Sequence, residues 1–165
     1  MKSEKQISQG KKDRGFSLIE LLIVVAIILI IAAIAIPNLI KSKMAANEAS
    51  AVGSVRTINT GEVNYSASCP AVGFSSTLPE LNSGAVCLGG KGIIDPVLAA
   101  GKKSGYVFTY IAKAGGDGLN DSYTQTGLPA TVGTTGQRGF YSDQTGVIRY
   151  TLDGTAPTNV SNALQ

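Results

Sequence analysis

The fold of this chain is decided by the stretch from Gly15 to Asn38, which reads GFSLIELLIVVAIILIIAAIAIPN. The run from Phe16 to Ile36 contains 21 residues and one charged side chain, Glu20. At about 1.5 Å per residue, a helix of this length measures roughly 31 Å, which matches a bilayer hydrocarbon core of about 30 Å. The sequence therefore predicts one membrane-spanning helix over residues 16–37.

The residues ahead of this helix are rich in bases. The five bases are Lys2, Lys5, Lys11, Lys12 and Arg14, whereas the acids number only two, Glu4 and Asp13. An excess of lysine and arginine beside a membrane span keeps that end in the cytoplasm. We therefore expect a basic leader over residues 1–15 and an N-in, C-out orientation.

Glu20 is the most informative residue of the span. A carboxylate at the centre of a membrane helix costs about 2.5–3.5 kcal/mol on insertion scales, so an acid in such a segment indicates a functional site. Cleavage after Gly15 would place the new amine of Phe16 one helical turn from Glu20. Opposite charges about 4 Å apart are worth about 4 kcal/mol at an effective dielectric constant near 20. The expected partner of Glu20 therefore exists only in a chain cut before Phe16, and pairing between copies would set their register.

Two other interpretations of the same stretch remain open. A basic start, an apolar run and the small-residue site Ala33-Ile34-Ala35 also describe a secretory signal peptide cleaved after Ala35. A chain that keeps residues 1–15 would instead be an uncleaved membrane anchor.

The N-terminal sequence resembles the type IV pilin superfamily, which includes pilus subunits and the pseudopilins of type II secretion. The residues that carry the resemblance are KDRGFSLIELLIVVAI, from Lys12 to Ile27, followed by Ile36-Pro37-Asn38. The resemblance implies that a prepilin peptidase cleaves after Gly15 and N-methylates Phe16. It also implies that Glu20, with the Phe16 amine, sets the assembly register and that Pro37 marks a helix kink or local unwinding.

By this resemblance the chain is a structural subunit that polymerises through its apolar helix into a pilus-like surface filament. The implied partners are copies of the same subunit, the prepilin peptidase and an inner-membrane assembly platform with a cytoplasmic ATPase. Before assembly the subunit would reside in the bacterial inner membrane. The alternatives are a pseudopilin in a short periplasmic filament and a membrane-anchored periplasmic binding module.

Residues 38–66 have the pattern of an amphipathic helix that continues to about Tyr65. One broad face collects Ile40, Met44, Ala45, Ala51, Val52, Val55, Ile58 and Val63, and the opposite face collects Lys43, Ser50, Ser54, Thr57, Gly61 and Asn64. Glu48, Asn59 and Glu62 interrupt the apolar face. We therefore expect this half of the helix to pack on a small domain.

Residues 67–104 have little regular pattern and contain both cysteines of the chain, Cys69 and Cys87. The predicted topology places them outside the cytoplasm, where disulfides persist. A disulfide that closes this loop is expected, with free thiols as the alternative. In many familiar pilins the disulfide brackets a C-terminal region instead, so this position departs from the family pattern.

An antiparallel sheet of three or four strands is predicted over residues 105–152, followed by a C-terminal tail at 153–165. Tyr106, Phe108 and Tyr110 alternate with Val107, Thr109 and Ile111 as a strand buried to some degree on both faces, and residues 122–126 form a shorter candidate. The clearest hairpin joins residues 138–142 to 147–151 through the turn at 143–146. Together with the long helix, these strands predict an α+β fold.

Catalysis and cofactor binding find little support in the sequence. The chain contains no histidine, which removes serine–histidine and cysteine–histidine nucleophiles and imidazole metal sites. The carboxylates Asp143 and Asp153 lie in predicted turns. Asp117, Asn120 and Asp121 are possible calcium ligands, but their spacing is not that of an EF-hand. We expect no enzyme, no cofactor and no bound metal.

The charge of the mature chain is balanced. Removing the five bases and two acids of the leader leaves 14 − 5 = 9 bases and 11 − 2 = 9 acids. A chain without net charge has no global basic field of the kind that attracts nucleic acid. Nucleic acid is therefore not an expected partner.

Overall fold

The computed structural model describes residues 15–83 and 86–164. The predicted basic leader lies outside the described residues, apart from Gly15. The helices are α1 (Leu18–Ser68), α2 (Glu80–Ser83) and α3 (Pro96–Ala99), with a 3-10 turn at Val86–Leu88. The strands are β1 (Lys102–Lys103), β2 (Tyr106–Ala114), β3 (Asn120–Pro129), β4 (Gly139–Asp143), β5 (Arg149–Thr151) and β6 (Asn162–Ala163). The chain divides into two compact units, Met1–Asn38 and Leu39–Gln165.

The first unit consists, in its described part, of the apolar half of α1. The most apolar window of this helix has a mean hydropathy of 3.3, and none of that window is buried. Among the residues that the structure describes, α1 is the one helix long and apolar enough to cross a membrane. Pro37 lies inside α1 without interrupting the helical assignment, and the predicted bend there stays a prediction.

The second unit contains the rest of α1 and a six-stranded sheet. The strands follow the order β1-β2-β3-β4-β5-β6, and every neighbouring pair is antiparallel. The predicted α+β fold is confirmed. The sheet is wider than residues 105–152, because β1 and β6 extend it to Lys102 and Ala163. Strands of two residues are too short for an alternating pattern to reveal them.

One face of the sheet packs against the second half of α1. Cross-strand register aligns Phe108, Gly127, Phe140 and Tyr150 on this face. The core contains Ala51, Val55, Ile58 and Tyr65 from the helix together with Tyr106, Phe108 and Phe140 from the sheet. The prediction that β2 is buried on both faces was wrong, because Val107, Thr109 and Ile111 are exposed on the opposite face.

The prediction of which residues of α1 face the core was only partly confirmed. Val63, predicted in the core, is 63% exposed, whereas Ser54 and Gly61, predicted on the polar face, are buried. A Cβ at Gly61 would contact Ile93, Ile94 and Leu81. Side chains from the segment after the helix therefore cover a second face of α1. The buried surface of the helix is broader than packing against the sheet alone would make it. The helix ends at Ser68, slightly beyond the predicted Tyr65.

Candidate functional site

The candidate assembly segment, residues 15–38, presents an exposed apolar surface. Its large side chains are exposed by 46% or more, from Phe16 at 77% through Ile36 at 56%. At about 25 cal/mol per Å² of apolar surface, leaving such a helix in water is costly. This surface is therefore suited to lipid or to other apolar helices.

The first turn of α1 gives Glu20 a partner within its own chain. The backbone N–H of Ser17 donates to Oε2 of Glu20 at 2.9 Å, and the carbonyl of Ser17 accepts from the N–H of Leu21 at 3.2 Å. Ser17 thus occupies the N-cap and Glu20 the N3 position, as in a capping box. This contact gives Glu20 a hydrogen-bond donor that does not depend on cleavage. The expected opposite charge, the Phe16 amine of a cleaved chain, stays a prediction.

Sequence reasoning missed this cap, although its signal was present. Ser17-Leu18-Ile19-Glu20 has the S-x-x-E spacing of a capping box directly before an apolar run. The free-energy cost of a charge in a membrane dominated the interpretation of the Glu20 carboxylate, which left out its local role as a hydrogen-bond acceptor.

The predicted cleavage bond, between Gly15 and Phe16, lies just outside the helix. Residues 15–17 have no regular secondary structure and all three are exposed. Both groups of the Ser17–Glu20 hydrogen bond follow this bond in sequence, so cleavage would leave that hydrogen bond in the mature chain. The new amine of Phe16 would then be one residue from Ser17.

In the second unit, Glu48 is the acid most firmly held. It is 8% exposed and accepts hydrogen bonds from the backbone N–H groups of Gln137 and Arg138 at 2.8 and 3.1 Å. Nε of Arg138 lies 2.7 Å from Oε2 of Glu48. Burial by itself would raise the pKa of Glu48, but these hydrogen bonds and the Arg138 charge outweigh it and hold the pKa below its ordinary value. The pair links α1 to the chain just before β4.

Glu62 is fully buried and binds the loop that follows α1. Its Oε2 accepts from the N–H of Ser75 at 2.9 Å, and its Oε1 accepts from the Ser75 hydroxyl at 2.5 Å. Tyr110 donates to the carbonyl of Ser75 at 2.9 Å. Burial raises the pKa of Glu62, because the hydrogen bonds from Ser75 only partly offset the loss of hydration. Neither Glu48 nor Glu62 was predicted to be buried, because the helix periodicity showed both only as polar interruptions of the apolar face.

The disulfide between Cys69 and Cys87 is present. Cys69 directly follows α1, where its N–H donates to the carbonyl of Tyr65 at 2.8 Å. The bond therefore ties the connecting region 67–104 to the end of the helix, and the free-thiol alternative was wrong.

The carboxylates considered as metal or acid–base groups are used in turns. Asp117 accepts from the N–H of Leu119, Asp143 from Thr145, and Asp153 from Thr155. The amide of Asn120 donates to the carbonyl of Phe74. Over residues 15–83 and 86–164, no group of three or more histidine, cysteine, aspartate or glutamate side chains is arranged to hold a metal ion. Asp143 and Asp153 lie at opposite ends of the β4–β5 hairpin and do not form a pair.

The fold and the site define a class of α+β proteins whose N-terminal helix is long and apolar enough to cross a membrane and has an acid in its first turn. Residues 10–36 match the family described as the prokaryotic N-terminal methylation motif. Over 54 residues the chain is 46% identical to the type IV major pilin protein PilA of Myxococcus xanthus (strain DK1622). These two matches support the assignment of the chain to the type IV pilin superfamily.

The similarity to that pilin is confined to part of each protein. The aligned region covers 33% of this chain and 24% of the relative. No solved structure is a significant match to this chain. The activity and partners of the whole subunit are therefore matters for proposal.

Proposed function

We propose that this chain is a structural subunit that polymerises through its apolar helix into a type IV pilus-like filament. The observation that carries the proposal is the exposed apolar helix of residues 18–36, which contains Glu20 in its first turn and lies within the methylation-motif match. A surface of this kind is stable in lipid before assembly and among identical helices after it.

Processing creates the charge that assembly requires. Prepilin peptidase hydrolyses the Gly15–Phe16 bond, and the released amine of Phe16 is then N-methylated. The methylated amine keeps its positive charge and lies near the carboxylate of Glu20. Pairing with the Phe16 amine of a neighbouring copy gives the buried acid an opposite charge and sets the axial offset between subunits. Pro37 gives the packed helix a bend, because proline removes one backbone hydrogen bond.

The proposal also assigns location and partners. The subunit is inserted in the inner membrane with its N-terminus in the cytoplasm, and an assembly platform driven by a cytoplasmic ATPase extracts it into the filament. A surface pilus is favoured over a periplasmic pseudopilus because the similar protein is a major pilin. The proposed function is structural and involves no catalysis.

The proposal is tested first by the mass and N-terminal residue of the mature protein. We expect a chain that begins with N-methylated phenylalanine at position 16. A product that keeps residues 1–15 would support a membrane-anchored module instead, and a product that begins at Ile36 would support ordinary secretion.

Electron microscopy of sheared cell-surface material tests the filament itself. We expect thin filaments that contain this chain. A strain that carries Glu20→Ala is the matched control, because its subunit is expected to insert in the membrane and to be absent from filaments. Normal filament yield from this variant would contradict the assembly mechanism.

A further inference from the structure

The second unit carries opposite charges at its two ends. Ser50 of α1 contacts Ser104 through their hydroxyl oxygens at 2.9 Å, which places β1 at the beginning of this part of the helix. Lys102 of β1 is exposed at this end, and Lys41 and Lys43 are exposed on the turns of α1 that precede Ser50. We call these three lysines the basic end.

The opposite end contains the connection between β2 and β3. The N–H of Phe74, six residues beyond the end of α1 at Ser68, donates to the carbonyl of Asn120 at 2.9 Å. Asp117 lies in this connection and Asp121 lies at the start of β3. Both acids are exposed, and we call residues 115–121 the acidic turn. Strand β2 has nine residues between the two ends, and at about 3.4 Å per residue it separates them by about 27 Å.

These five charges have no ion-pair partner within the described residues. The two ion pairs found there use other side chains, Lys103 with Asp95 and Arg138 with Glu48. Lys113 lies beside the acidic turn and Asp153 lies near the basic end, and each has the charge opposite to that of its neighbours. The basic end still has an excess of positive charge and the acidic turn an excess of negative charge. At physiological ionic strength the Debye length is about 8 Å, so the basic end and the acidic turn do not attract each other within one subunit.

We propose that the basic end of one subunit docks against the acidic turn of a second copy, in a head-to-tail contact along the filament. Two complementary surfaces at opposite ends of one chain make a heterologous interface, which builds an open polymer when it does not close into a ring. The inference rests on the proposed function, because polymerisation through parallel helices orients every subunit in the same direction. The charged contact selects the neighbour and its orientation more than it adds affinity.

Carbodiimide crosslinking of intact filaments tests the contact directly, because this reagent joins an amine to a carboxylate only when the two are paired. We expect an amide between a lysine of the basic end and Asp117 or Asp121, identified by mass spectrometry of proteolytic peptides. The separation of about 27 Å along β2 means that such a link joins two subunits. Subunits dispersed in detergent are the control and should lack it.

Charge exchange between the two ends provides the matched variants. Lys102→Glu removes one amine and places a carboxylate at the basic end. The remaining crosslinks from Lys41 and Lys43 to Asp121 are therefore expected to fall about tenfold or more, because like charges then face each other. Adding Asp121→Lys should restore a link between positions 102 and 121. Arg56→Glu, which reverses an exposed base in the second half of α1, should leave the crosslinks unchanged.

The possible results distinguish failure of this contact from failure of the proposed function. Wild-type filaments that lack these crosslinks overturn the contact and leave the filament intact as a proposal. If Lys102→Glu instead weakens binding to phosphatidylglycerol vesicles, the basic end belongs to a lipid surface. Absence of any filament from the wild-type chain would overturn both proposals.

Discussion

The backbone N–H of Ser17 donates a hydrogen bond to Oε2 of Glu20 at 2.9 Å, so the acid caps the helix that contains it. The cap requires only an acceptor oxygen, whereas pairing with the Phe16 amine of another subunit requires a negative charge. Substitutions at position 20 can therefore separate the two roles.

We predict that Glu20→Gln keeps the cap and loses assembly, whereas Glu20→Ala loses both. Loss of a capping interaction costs about 0.5–2 kcal/mol of helix stability, so the amides of the first turn should exchange faster in the alanine variant. Hydrogen exchange in detergent and the yield of sheared filaments measure the two effects. Assembly of Glu20→Gln at the wild-type level would show that charge is not what the filament requires.

The Glu48–Arg138 pair is predicted to be a main stabilising link of the second unit. Glu48→Ala leaves two backbone donors and the Arg138 side chain without their acceptor. Hydrogen bonds to charged groups are worth about 1.5–3 kcal/mol each, and we expect a loss of about 3 kcal/mol in the free energy of unfolding. Denaturant unfolding of the full chain in detergent provides the measurement.

The ion pair between Lys103 and Asp95 is the matched control for this variant. Its side chains are 35% and 41% exposed, and solvent screens such pairs. Lys103→Ala should therefore cost less than about 1 kcal/mol. Equal losses from Glu48→Ala and Lys103→Ala would contradict the importance assigned to burial.

Glu62 is predicted to make the second unit less stable as the pH rises above 4.5, the ordinary pKa of glutamate. Because burial raises its pKa, the folded chain binds this proton more tightly than the unfolded chain does. Stability therefore falls as the pH rises from the unfolded pKa through the folded one. Glu62→Gln keeps the side-chain shape and should remove this component of the pH dependence.

Comparison with Glu48→Gln checks the sign. The pKa of Glu48 is lowered, so its contribution is present above the unfolded pKa and is lost as the pH falls through the folded one. Unfolding measured from well below the ordinary glutamate pKa of 4.5 up to neutral pH should show opposite changes in slope for the two variants, below that pKa for Glu48→Gln and above it for Glu62→Gln. A Glu62→Gln curve parallel to the wild type would exclude a raised pKa.

The Cys69–Cys87 disulfide is predicted to stabilise the second unit by about 3 kcal/mol, because it closes a short loop in the unfolded chain. The two cysteines are 18 residues apart. The Cys69→Ser/Cys87→Ser variant should lower the thermal midpoint by about 10 °C. A reducing agent should lower the midpoint of the wild type and leave that of the double variant unchanged.

Much of the second unit was not predictable from local patterns. Ser54 and Gly61 appeared to face solvent because helix periodicity reports one apolar stripe. Both are buried, and at Gly61 the side chains of Leu81, Ile93 and Ile94 cover a second side of α1. Glu62 appeared to be a defect because its partner, Ser75, lies in a loop without a regular pattern. Strands β1 and β6 are too short to carry a period.

The sequence by itself determined the membrane-length helix, the acid in its first turn, the α+β class and the central hairpin. These features depend on hydropathy, charge and alternation over neighbouring residues, which act before any distant contact forms. Only the tertiary structure decided that Glu48 and Glu62 are buried and that opposite charges lie at the two ends of the sheet. Those properties depend on strand register and on contacts between residues far apart in the chain. A local sequence pattern specifies neither the register nor the contacts.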